Sequence, residues 1–195
     1  MGFLLNKRLL VTRIISKVLG GILLKVYRLD HSKVIFFGIP RMYLIKGSRI
    51  LFGDNVSLIS KEYANPVGLI RPVTFRTLSE TSYISIGDNT GLSGTLICCQ
   101  QKIEIGKNVL VGANVTICDT DLHPIAKENR RFSKENIKVI PINIEDNVWI
   151  GMNSVILKGT VIGENSIIGA GSIVSGNIPP NCIAAGNPAK IIKYI

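Results

Sequence analysis

The sequence predicts an all-β solenoid, a prism of stacked coils, preceded by a basic amphipathic helical segment. Three observations carry this expectation. From Ile144 onward an aliphatic residue falls at every sixth position, as Ile144, Ile150, Ile156, Ile162, Ile168 and Val174. A sustained period of six fits neither a strand nor a helix alone. Ile and Val together make 46 of the 195 residues against 7 Ala, a balance that favours strands. Aromatic residues are only 6% of the chain, which suits thin, repetitive layers.

The first segment, residues 1–49, holds ten Lys/Arg and one acid, Asp30, for a net +9, while the other 146 residues carry a net +1. So local a charge is not that of a uniformly basic nucleic-acid binder, and no nucleic-acid partner is expected. Leu, Ile and Val dominate from Phe3 to Arg28, but Lys7, Arg8, Arg13, Lys17, Lys25 and Arg28 interrupt them before 18 apolar residues accumulate. The segment should not span a bilayer. Recurring cations also argue against a secretory leader, so a cytoplasmic location is expected. The cations and Gly20/Gly21 recur at roughly helical spacing and leave the aliphatic residues on the opposite face. Such a helix could lie peripherally on the anionic inner face of the membrane, or it could cap the β body or meet another subunit.

Residues 50–183 are expected to form the coils, with residues 184–195 as a C-terminal segment. Each hexapeptide, as in IGMNSV, ILKGTV and IGENSI, supplies one prism face, points its aliphatic residue at the axis and turns the corner on Gly, Asp or Asn. The period reappears upstream from Phe52, Ile86, Ile105, Val111 and Ile117. Three hexapeptides make a coil of 18 residues, and stacked coils pair their strands in parallel around one aliphatic column. A one-residue slip lies between Ile86 and Ile105, and a long break spans residues 119–141. Insertions of this kind loop out of a solenoid and commonly carry function. Cys98, Cys99, Cys118 and Cys182 include no CxxC pair and read as small buried residues in a reducing compartment.

The motifs IGKNVLVGANVTICDTDLHP, NVWIGMNSVILKG and VIGENSIIGAGSIVSGNIPPNCIAAGNPAKII occur in that order. Together they resemble the hexapeptide-repeat acyltransferases, whose fold is a left-handed parallel β-helix. The similarity is greatest to galactoside and maltose O-acetyltransferases and to acetyltransferases of surface-polysaccharide synthesis. It covers residues 84–193; residues 1–80 resemble the family only weakly.

Acyl transfer from a thioester to a hydroxyl needs a base, and the break holds His123, one of two histidines in the chain. Imidazole suits that work at neutral pH, and the resemblance assigns it to this HP histidine. Asp119 and Asp121 flank it; either could orient the ring or merely shape the turn. Arg130 and Arg131 could contact a phosphate or an acidic sugar. The resemblance further places Met152, Ala170, Ser175, Gly176, Lys190 and Lys193 along acetyl-CoA. There relatives often carry Ser in place of Met152, Lys in place of Gly176 and Arg in place of the two lysines. Ser93 and Gly94 fall where relatives touch the sugar acceptor with an Asn.

The resemblance therefore implies an acetyl-CoA-dependent O-acetyltransferase acting on a saccharide, in surface-polysaccharide or lipid-linked oligosaccharide synthesis, as a homotrimer with sites between subunits. An N-acyltransferase acting on an amino sugar or amino acid, and a non-catalytic scaffold, are the alternatives. No metal site is expected, because a three-imidazole zinc centre needs more than His31 and His123.

Overall fold

The computed structural model describes residues 2–27, 29 and 34–195, with side chains described from Leu10 onward. Arg28, Asp30 and His31 lie outside the described residues, as do the side chains of Lys7 and Arg8. A helix, α1 (Gly2–Val26), leads into six full coils of three strands each. The first coil is β1 (Ile35–Phe37), β2 (Arg41–Tyr43) and β3 (Arg49–Phe52), and the second is β4 (Ser57–Ile59), β5 (Thr74–Thr77) and β6 (Tyr83–Ile86). The third is β7 (Gly91–Ser93), β8 (Leu96–Cys99) and β9 (Lys102–Ile105), and the fourth is β10 (Leu110–Val111), β11 (Thr116–Cys118) and β12 (Ile142–Ile144). Then follow β13 (Trp149–Ile150), β14 (Val155–Ile156) and β15 (Val161–Ile162), and β16 (Ile167–Ile168), β17 (Ile173–Val174) and β18 (Asn177–Ile178). A seventh coil starts with β19 (Cys182–Gly186), and β20 (Ala189–Tyr194) folds back antiparallel on it.

Three parallel sheets result, of the kind typical of a left-handed β-helix. They run β1-β4-β7-β10-β13-β16-β19, β2-β5-β8-β11-β14-β17 and β3-β6-β9-β12-β15-β18. Alternation within each strand sends one residue inward, and the registers stack those residues. Thus Phe75, Ile97, Ile117, Ile156 and Val174 are in line and fully buried. The sixfold period is the vertical spacing of this column seen along the chain.

Corners follow from residue chemistry. Asn55, Asn89, Asn108, Asn147, Asn165 and Asn181 all have φ between 55° and 62°, a left-handed conformation that Asn tolerates better than other side-chain-bearing residues. They stack at one edge in two hydrogen-bonded runs, Asn55–Asn89–Asn108 and Asn147–Asn165–Asn181, with Asn147 Nδ2 donating to Asn165 Oδ1 at 3.2 Å and Asn165 Nδ2 to Asn181 Oδ1 at 2.9 Å.

One departure from expectation has a physical cause. The solenoid starts at Ile35 rather than 50, because the first coil turns from β1 to β2 with Gly38 and Pro40 instead of a hexapeptide corner. The helix α1 caps the β body, one of the expected alternatives: it lies across the open end of the column. Ser16, Gly20 and Leu24 are buried on one helical face, Gly20 sits against the Phe36 ring, and Ser16 Oγ accepts from Gly38 N at 3.0 Å. Tyr27 Oη donates to the Met42 carbonyl at 3.1 Å, so the chain leaving α1 also reaches β2.

Candidate active site

The fourth coil is interrupted between β11 and β12 by the 119–141 loop. Its two ends run antiparallel as a stem: Thr120 bridges Val139, Ile140 N donates to Asp119 O at 3.0 Å, and Asp121 N donates to Lys138 O at 3.1 Å. Leu122, at φ 64°, turns the chain away at the head of the stem, its N–H donating to Thr120 Oγ1 at 3.2 Å. His123 follows immediately and is exposed, with no hydrogen bond among the described residues.

Asp119 does something other than orient His123. It is wholly buried, and its carboxylate accepts from Gln100 N at 2.7 Å, Gln101 N at 2.7 Å and Lys102 N at 2.9 Å. These three amides form the corner between β8 and β9, which is two residues longer than the hexapeptide spacing; the corner before it is one shorter, and together they make the net slip between Ile86 and Ile105. The slip and the buried acid are one feature: the longer corner turns its N–H groups inward, and Asp119 satisfies them. Of the two orienting candidates, Asp119 is thereby withdrawn.

Asp121 is differently placed. Its Oδ1 meets Lys158 Nζ at 2.5 Å, and both side chains are largely buried. Its Oδ2 is buried without a hydrogen-bond partner. Lys158 comes from the corner between β14 and β15, so the ion pair ties the His123 loop to the next coil. Sequence reading missed Lys158, which looks like an ordinary corner residue of ILKGTV.

Cys98 and Cys118 are register partners on β8 and β11, just before the stem. A hydrogen bond from Cys98 lowers the Cys118 thiol to about 7 despite its partial burial, and the same contact raises Cys98. Burial pushes Cys99 up to about 12. Cys118, half-buried, is thus not the inert apolar residue the sequence suggested.

The expected acceptor contacts are corrected. Ser93 and Gly94 are buried. The second coil's loop, residues 60–73, lies over them, and a Cβ on Gly94 would meet Arg71 O at 2.9 Å. Arg71 Nη2 donates to Asn114 O at 3.0 Å and to Thr116 Oγ1 at 2.8 Å, while Ile70 N donates to Asn114 Oδ1 at 2.9 Å. The place where an acceptor-binding Asn was expected is therefore covered by this loop. Arg130 also turns inward on its own loop, donating to Ala126 O at 3.2 Å and Ile125 O at 2.5 Å. Arg131 stacks over Phe132 at 5.4 Å.

The residues expected along acetyl-CoA lie on or near the last coils. Ala170, Ser175, Gly176, Lys190 and Lys193 are exposed. A Cβ on Gly176, at φ 77°, would meet nothing within 4 Å. Met152 is half-buried, and its carbonyl accepts from Gly171 N at 2.8 Å. Small exposed residues on the last coils and two exposed cations on β20 fit a phosphate-bearing, extended co-substrate.

A column of hexapeptide coils with one projecting histidine loop is the layout of a hexapeptide-repeat transferase. Residues 141–176 match the family model of the bacterial transferase hexapeptide, and residues 102–121 match that of the hexapeptide repeat of succinyl-transferase. The chain is 45% identical to the galactoside O-acetyltransferase of Escherichia coli over 171 residues, 81% of each protein. It belongs to the hexapeptide-repeat acetyltransferases. A Schizosaccharomyces pombe protein named as an acetyltransferase is 50% identical over 93 residues, covering 48% of this chain and 44% of that protein. Among solved structures, a hexapeptide-repeat acetyltransferase of Vibrio cholerae in complex with acetyl coenzyme A is 30% identical. It covers 76% of this chain and 71% of its own, with a TM-score of 0.59.

Proposed function

We propose that the protein transfers an acetyl group from acetyl-CoA to a sugar hydroxyl, with His123 as the general base. The observation that carries this reading is the exposed His123 at the head of a stem that the Asp121–Lys158 pair anchors to the next coil. His123 takes the acceptor's hydroxyl proton as the oxygen bonds to the thioester carbonyl carbon, and returns it to the departing thiolate as the tetrahedral intermediate collapses. Asp121, two residues away with an unpartnered oxygen, is the carboxylate that can hold the ring's other N–H. Ala170, Ser175 and Gly176 line the pantetheine path, and Lys190 and Lys193 take the nucleotide phosphates. The Met152 amide is the donor for the oxyanion.

The covering of Ser93 and Gly94 by loop 60–73 supports an acceptor unlike a simple galactoside, and we place it among saccharides of surface-polysaccharide or lipid-linked oligosaccharide synthesis. A homotrimer completes the site. Supporting it, Leu110 and Trp149 pair in register on the outer face of the largest sheet and are 59% and 51% exposed. The test of the base is His123→Ala, assayed with labelled acetyl-CoA against a panel of saccharides. Turnover should fall about 10³-fold with acetyl-CoA binding retained, and unchanged turnover would overturn the assignment.

A further inference from the structure

The face of α1 that meets the body is accounted for by Ser16, Gly20 and Leu24. The opposite face is not. Leu10, Val11, Ile14, Val18, Ile22 and Val26 form a continuous stripe along it, each more than half exposed. Helical spacing puts Arg13 in line with Gly20 and Leu24, where it lies over the Phe37 ring at 5.2 Å, Lys17 on the flank between stripe and body, and Lys25 within the stripe. Arg13 and Lys17 also line a groove of about 520 Å³ with Leu10, Ile14, Phe36 and Asn55. The helix carries no Asp or Glu, and no helix among the described residues is long and apolar enough to cross a membrane.

Charge decides what can cover this face. A second copy of α1 would bring the same cations and no carboxylate, setting like charges together where water is being expelled. An anionic lipid surface offers an apolar layer for the stripe and counter-charges for its cations. We infer that α1 is a docking face for anionic membrane, its stripe entering the headgroup boundary while Lys17 and Lys25 contact headgroup phosphates. Because α1 closes one end of the prism, docking stands the coils off the bilayer.

The test is co-sedimentation of the full-length protein with phosphatidylcholine vesicles, alone or with about 30 mol% phosphatidylglycerol. The anionic vesicles should carry down at least about tenfold more protein than the neutral ones, and about 0.5 M salt should weaken the binding. The double variant Ile14→Asp/Val18→Asp, changed only at exposed positions, should lose about tenfold or more of the bound fraction, as should Lys17→Glu/Lys25→Glu. Circular-dichroism melts check that both variants remain folded. Equal binding to neutral vesicles, no binding to either, or full binding by Ile14→Asp/Val18→Asp overturns the inference. So does a split of the oligomer by that variant in sedimentation velocity, which would make the stripe a subunit contact.

Discussion

Two acidic residues separated by one position do unlike work. Asp119 is a tie for a backbone corner, and Asp121 a tie for a loop. Replacing Asp119 with Ala strands three amides that have no other partner in the corner, at a cost of about 3 kcal/mol in urea unfolding. His123→Ala, at an exposed position, should leave the unfolding midpoint within about 0.5 kcal/mol of the parent. The pair of variants separates folding from chemistry within a five-residue span. Cys118 makes a third prediction. The Cys98 hydrogen bond lowers this thiol to about 7, so it ionises more readily than an ordinary thiol. Its alkylation by iodoacetamide should therefore rise between about pH 6 and 8, and in Cys98→Ala the rise should move up toward the ordinary thiol value of about 8.5.

At the scale of elements, the hexapeptides were legible because their chemistry is local. One aliphatic residue per face and an Asn or Gly at the corner leave a period that survives without any knowledge of contacts. The stem and its histidine were legible as a break in that period. The 60–73 loop was not read as a cover for the third coil, since its contacts to Asn114 and Thr116 join residues more than 40 positions apart. The role of Asp119 was hidden for the same reason: only the folded register brings the long corner over it. The helical face of α1 was visible as a pattern, but nothing local said which face meets the body. Gly20 answers that, because a Cβ there would approach the Phe36 ring to 2.6 Å. Gly20→Val should accordingly lift α1 from the first coil and lower stability by about 2 kcal/mol in thermal or urea unfolding.

The whole molecule is a stack whose length is set by how its two ends are finished. Parallel coils repeat without a natural stop, and the last one always offers open strand edges to anything that can pair with them. At the C-terminal end, β20 doubles back antiparallel on β19 and occupies that sheet's edge. At the other end α1 lies over the first coil, its Ser16 and the nearby Tyr27 engaging backbone groups of Gly38 and Met42. Removal of residues 1–27 should expose the first coil and yield light-scattering, thioflavin-positive assemblies at concentrations where the intact chain stays dispersed. Clear solutions of the shortened chain would contradict this. The helix thus acts as a terminator: it keeps a fold that could grow without limit at one finite length.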